Sequence, residues 1–370
     1  MFFCVVENAY FGFVSSPRMK SLFVSVAPWL CGLLCTLSAS AQEVAGGLFA
    51  SDVPLSFTLT ARMQAIVKDR NYPAHDSLAV KHPARLTYVA DSARGVEWAI
   101  PLSLVVRGNF RRKAKNCKFP PLYLDFPKKR VAGTPFAKQN KLKLVTHCQD
   151  DEYIVREYLV YKLYNLVSDV SFRARMARVT YVDSVKKRPA ETHWAFLIED
   201  EADVARRNGL REYKVPTQMI QVDSLSMATM AVFEYMIGNI DWEVMYRHNV
   251  RLMNLPGSNN PPTPAPYDFD HAVIVDASYA TKADDAGQRQ YRGPLYPGWL
   301  LKRVFGRFNE LKPRFYARYT NDPRLSEAYV KQTIAYFDKF YALINDPAAV
   351  KANFFNGDKD GHLFASFSSK

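Results

Sequence analysis

The densest run of chemically capable side chains lies between residues 238 and 271. Gly238-Asn239-Ile240-Asp241-Trp242 opens it, Arg247-His248-Asn249 follows, and Pro266-Tyr267-Asp268-Phe269-Asp270-His271 closes it. Bulky apolar residues (Ile240, Trp242, Val250, Leu252, Phe269) sit beside each polar group, so those groups are expected to be half-buried and either paired or functional. An Asp, then an Asn, then an Asp-x-Asp supplies what phosphoryl transfer needs. One carboxylate accepts or orients the nucleophile's proton, while an Asn oxygen and a further carboxylate hold Mg²⁺ against the phosphates. The same residue types also build turns in which Asp and Asn side chains cap backbone groups, and the fragment alone leaves both readings open. A metal-dependent hydrolase using His248, Asp268, Asp270 and His271 is a third reading, although the chain has neither H-E-x-x-H nor a second close histidine pair.

Two upstream residues bear on the choice. Lys143 sits inside the apolar run Leu142-Lys143-Leu144-Val145, and Glu157 follows fourteen residues later in a helical pattern. A strand lysine paired to a helix glutamate is how kinases hold nucleotide phosphates. Lysine on an edge strand also guards against aggregation, so Lys143 by itself is unspecific.

These side chains need elements to position them. Residues 50–110 read mostly as strands, with period-two runs at Leu55–Thr60, Arg85–Val89 and Leu102–Val106. Pro121–Phe126 and Leu142–Val145 continue the pattern on either side of a Gly/Pro/Lys loop at 127–140. From Asp150 to Val167 the apolar residues recur at three- and four-residue steps, which predicts an amphipathic helix. Residues 176–183 and 193–199 return to strand character, a helix is predicted over Ser224–Ile237, and 255–266 reads as a surface loop. The C-terminal third is helical. Asn321-Asp322-Pro323 offers a cap for a helix whose apolar face includes Leu325, Tyr329, Phe337, Phe340 and Ile344. The order of elements is α+β.

Composition sets the outer bounds. The chain has 370 residues, 48% of them hydrophobic and 23% charged, which excludes a disordered or collagen-like chain. Its 49 Lys+Arg against 36 Asp+Glu give a formal charge of +13. The basic residues are spread out, the densest run (Arg111 to Lys118) is short, and no nucleic-acid-binding signature accompanies it, so we expect anionic ligands and no nucleic-acid partner.

The N-terminus reads as a targeting segment. Met19 and Lys20 precede an uncharged apolar run at 21–37, and Ala39-Ser40-Ala41 forms an A-x-A site. The expectation is a signal peptide over 1–41, with Met19 as the true start, and an exported product that is periplasmic, envelope-associated or extracellular. No later stretch is apolar enough to span a bilayer. Removal of 1–41 leaves Cys117 and Cys148, an even pair in an oxidising compartment, for which a disulfide is expected.

Several of these segments together resemble the CotH-type kinases and, more distantly, other atypical kinases of the HipA type. The resemblance covers roughly residues 50–275. Arg107-Gly108-Asn109 is similar to the family's RGN segment, Arg156–Leu163 to its first helix, and Phe196–Asp200 to the strand that leads into its hinge. Asn239-Ile240-Asp241 is similar to its N-x-D catalytic loop and Tyr267–Asp270 to its aromatic-D-x-D metal motif. The chain departs from the protein-kinase pattern in two respects. Asp241 and Asn249 are eight residues apart, and no G-x-G-x-x-G segment is present.

The resemblance implies a two-lobed, protein-kinase-like fold, with a β-rich N-terminal part over 42–200 and a helical lobe over 201–370. It implies ATP and Mg²⁺ as cofactors, and a protein or small-molecule phosphate acceptor, a cell-envelope protein among the candidates. Asp241 would be the catalytic carboxylate. Asn249 with Asp268 and Asp270 would bind metal, the principal aspartate being open. Lys143 and Glu157 would form the ion pair, with Lys115 or Lys118 as alternative phosphate lysines. Arg107 would lie near the phosphates, and Glu199 and its neighbours near the adenine. The alternative is a catalytically weak kinase-fold binding or structural protein of the cell envelope.

Overall fold

The structure, a computed structural model, describes residues 47–70, 78–91, 96–280 and 289–355. The expected signal peptide, its cleavage site and the Met19 start lie outside the described residues. Strand β1 (Leu55–Ala61) alternates as its sequence requires, with Leu55, Phe57, Leu59 and Ala61 buried and the residues between them more exposed. A short helix α1 (Met63–Lys68) follows it. The strands β2 (His82–Asp91), β3 (Val96–Val106), β4 (Leu122–Asp125) and β5 (Lys141–Val145) then form antiparallel neighbours. Beyond helix α2 (Asp151–Val167), β6 (Ala174–Asp183) and β7 (Glu191–Ile198) pair with each other, and β7 pairs with β5.

The expected two-lobed kinase-like fold is not the one the chain adopts. The seven strands close into a mixed barrel in the order β1-β2-β3-β4-β5-β7-β6. The closing ladder is parallel and runs from Leu55 opposite Ala177 to Ala61 opposite Asp183. It joins strands some 120 residues apart, a pairing that short motifs around polar residues do not encode. Closure satisfies both free edges of the sheet. It also gives the apolar faces of β1 and β6 a common interior, where Phe57, Leu59, Val179 and Tyr181 pack with Leu102, Leu124, Leu144 and Leu197. The coarser expectation, α+β, describes the chain correctly.

A second core lies outside the barrel. Val145, Met176, Phe196 and Ile198 project from it against α2, α4 (Ser224–Ile237), α5 (Gly298–Thr320) and α6 (Glu327–Ile344). Helix α2 is therefore buried on all sides from Ile154 to Tyr164, which corrects the amphipathic expectation. Even Arg156, Glu157 and Lys162 are buried there, each with an ionic partner. This apolar core runs from Val145 to Phe354 and so crosses the expected boundary between 200 and 201.

The remaining elements are α3 (Glu201–Arg207), a three-stranded sheet of β8 (Arg211–Glu212), β9 (Val250–Asn254) and β10 (Thr263–Pro266), and α7 (Pro347–Val350). Part of the expected loop at 255–266 is thus strand β10, which registers against β9. Helix α6 starts at Glu327 rather than at Pro323, because Asn321 closes α5 and the Asp322 carboxylate is held by Arg324. Cys117 and Cys148 form the expected disulfide. Among the described residues no helix is long and apolar enough to cross a membrane.

Candidate functional site

A cavity of about 540 Å³ gathers the segment after β3, Lys143 of β5, the start of α3 and the polar run that follows α4. Its groups are positioned one from the next. Helix α4 ends at Gly238, whose φ of 71° is left-handed and whose Cα approaches Val273 so closely that a Cβ would lie 2.8 Å from its side chain. The chain then turns, and the Asn239 side chain pins the turn. Its Nδ2 donates to Glu234 Oε2 (2.9 Å) and its Oδ1 accepts from the Asp241 amide (3.1 Å). The reciprocal backbone bonds between Glu243 and His248, both 2.9 Å, fold the loop back on itself. His248 Nε2 thereby comes to 2.8 Å from Asp241 Oδ1, and Asn249 Nδ2 donates to the Asp241 carbonyl (2.7 Å) and to Oδ2 (3.1 Å).

The β9–β10 hairpin carries the arrangement to the second motif. Pro266 registers with Val250, and the Tyr267 amide donates to the Asn249 carbonyl at 2.9 Å. Asp268 follows with φ 63°, its amide donating to the Tyr161 hydroxyl (2.9 Å). Phe269 is fully buried, its ring 4.9 Å from that of Tyr161 and 6.0 Å from that of Phe233, so the flanking aspartates are anchored between packed aromatics. Arg247 and Asn249 also adopt positive φ (53° and 54°). Backbone held in such regions persists only where the surroundings over-determine it, and it concentrates at functional sites.

Charge is densest around Arg111. This buried guanidinium donates from Nη2 to Glu157 Oε2 (2.6 Å) and from Nε to Asp270 Oδ2 (2.9 Å). Burial pushes the Glu157 carboxyl up, Arg111 opposes, and the like charges of Asp270 and Asp268 add to the rise. Burial likewise raises Asp268, with Asp270 next, while Arg111 and Arg107 pull it down. Among the described residues the Asp268 carboxylate accepts no hydrogen bond. Beneath the turn, burial carries Glu234 up to about 8, partly offset by its bond from Asn239.

Arg107, Lys143, Asp241, Asn249, Asp268 and Asp270 all line the cavity. Three expectations need correction. Lys143 does not pair with Glu157: its Nζ lies 3.1 Å from Glu201 Oε1, while Glu157 is taken by Arg111. Burial would raise the Glu201 carboxyl, but Lys143 and then Arg251 override it and hold it low. Glu199 itself is not part of the lining, although its neighbours Asp200 and Glu201 are. It is buried at the end of β7, where Arg207 Nε reaches it at 2.9 Å and the Arg173 amide at 3.0 Å. Lys115 and Lys118 are exposed and outside the lining.

The sequence reading missed Arg111 and Glu234, and it reached Glu201 only as a neighbour of Glu199. Arg111 stands in a short basic run that reads only as part of a surface suited to anionic ligands, and its role comes from the fold, which closes the 159 residues between it and Asp270. Comparison with protein-family models gives no match, and comparison with curated proteins gives none either.

Proposed function

We propose that this protein is an exported phosphotransferase that takes the terminal phosphate of Mg²⁺-ATP to a hydroxyl of a protein or small molecule at the cell envelope. The observation that carries the reading is the convergence of Asp241, Asn249, Asp268 and Asp270 on one cavity with Arg107 and Lys143. At about 540 Å³ the cavity is in the range of small-molecule sites. The Cys117–Cys148 disulfide is in keeping with an oxidising compartment.

The donor set fits a hard dication. Asp268 and Asp270 offer carboxylate oxygens, and Asn249 spends its Nδ2 on Asp241, which leaves Oδ1 to accept. Asp268 and Asp270 lie close enough that the charge of Asp270 helps to raise the Asp268 carboxyl, a like-charge repulsion that a cation would relieve. Mg²⁺ held there supplies neutralisation of the phosphate charge. The chain's own residues do the rest. Asp241, oriented at Oδ1 by His248 and at Oδ2 by Asn249, accepts the proton of the attacking hydroxyl at its carboxylate. Arg107 and Lys143 contribute cationic charge to the phosphates, with Lys143 presented by Glu201. The hydrolase reading has less support, because among the described residues His248, Asp268, Asp270 and His271 do not supply three ligand atoms within 4.8 Å of one another.

Calorimetric titration with Mg²⁺-ATP tests the proposal. Binding should require Mg²⁺ and be lost in Asp268→Asn or Asp270→Asn. Asp241→Asn should still bind but transfer phosphate about 10²–10⁴-fold more slowly. A folded chain that binds no nucleotide with Mg²⁺ present would defeat the reading.

A further inference from the structure

A second set of metal-ligating side chains meets at one end of the barrel, outside the cavity lining. His147 lies two residues past the end of β5, and Glu191 and His193 share the phase of β7 that turns Ala195 and Leu197 into the barrel. One ligand atom from each of the three lies within 4.8 Å of the other two, and among the described residues this is the only such group of His, Cys, Asp and Glu. The register explains the meeting. Val145 pairs with Phe196, so the chain continuing past β5 runs beside the first half of β7.

Two observations point to a ligand. His147 Nδ1 and the Tyr181 hydroxyl are both buried without a hydrogen-bond partner, and their rings lie 5.4 Å apart. Such orphaned polar groups are rare in folded proteins and call for an ion or a water. The second observation concerns His193. Its Nδ1 donates to Asp151 Oδ1 at 2.9 Å, which leaves the Nε2 lone pair facing Glu191 Oε2 at 3.7 Å. That separation is too long for a hydrogen bond. It approaches the roughly 3.3 Å expected of two donors on one tetrahedral ion with bonds of about 2.0–2.1 Å. Asp151 is itself fixed, its other oxygen accepting from the Trp194 amide at 3.1 Å. Carboxylate-to-histidine support of this kind orients metal-bound imidazoles. Arg188 lies 3.5 Å from Glu191 Oε1 and so leaves Oε2 for an ion.

We propose that His147, Glu191 and His193 form a binding site for a transition-metal dication, Zn²⁺ in the first instance, at the mouth of the barrel. Two imidazoles and a carboxylate suit Zn²⁺, whereas the all-oxygen set in the cavity suits Mg²⁺. The site is therefore independent of the phosphotransferase reading. His147 and His193 stack with centroids 3.8 Å apart and planes inclined by 17°, so sharing an ion tilts the rings out of that stack.

The experiment is titration of the purified chain with Zn²⁺ and, for its visible spectrum, with Co²⁺. The disulfide is kept intact and the other thiols are alkylated. One equivalent should bind with a nitrogen/oxygen-type spectrum. His147→Ala and His193→Ala should weaken it by about 100-fold or more, Asp151→Asn by about 10–100-fold, and Asp268→Asn should leave it unchanged. Glu191→Gln, at a partly exposed strand start, is the variant that folds whatever the histidine variants do, and it too should weaken binding. Absence of binding, or binding that survives both histidine variants or Glu191→Gln, or that is lost in Asp268→Asn, would overturn the proposal.

Discussion

Replacing Glu234 by Gln probes how the Asn239–Asp241 turn is supported from below. Glu234 is buried on α4, with Oε2 accepting from Asn239 Nδ2 at 2.9 Å and Oε1 without a partner. Burial raises its carboxyl from 4.5 to about 8, the Asn239 bond opposing and Asp241 adding. Between those values the folded chain keeps a proton that the unfolded chain has released. Stability is therefore fully present below about pH 4.5 and is lost as pH rises through about 8. At about 1.4 kcal/mol per pH unit, the whole loss is on the order of 5 kcal/mol, most of it between pH 5 and pH 8. Gln retains the acceptor for Asn239 and nearly the same shape, and it does not titrate. Urea denaturation of both proteins at pH 5, 6, 7 and 8 should give a difference, variant minus wild type, that grows by roughly 3–4 kcal/mol in the variant's favour. Glu157 titrates in both proteins and cancels in that difference. Parallel pH profiles would refute the reasoning, since Glu234 would then ionise in the folded chain as readily as in the unfolded one.

Arg111→Met should destabilise the fold by ~3–5 kcal/mol at pH 8, because Glu157 and Asp270 are left buried without their cation. The loss should be smaller at pH 5, and adding Glu157→Gln should recover part of it, as read by urea denaturation in a double-mutant cycle. Cys117→Ser with Cys148→Ser opens a loop spanning 31 positions and should cost ~4 kcal/mol on the chain-entropy model, read as a lower urea midpoint.

Legibility in the sequence followed the range of the interactions involved. Strand β1 was readable because its burial follows a single local period, and α4 spans Ser224–Ile237 in both the sequence reading and the structure, although it is buried without a break from Met230 to Ile237. Helix α2 was located within a residue, yet its environment was not legible. A pattern that looked amphipathic includes Glu157 and Lys162, and both are buried because Arg111 and Asp52 reach them from distant segments. The start of α6 was misplaced for a related reason, since Asp322 is held by Arg324 instead of capping the helix.

The sequence by itself determined the α+β order, the cysteine pair and the polar run from Asn239 to Asp270, because residue type, spacing and local period specify each of them. Only the tertiary structure decided that the strands close into a barrel, that Lys143 meets Glu201 and that Arg111 joins Glu157 to Asp270. Those outcomes depend on pairings between segments tens to more than a hundred residues apart. Burial and charge compensation select such pairings only when the whole chain is folded, and no local pattern records them.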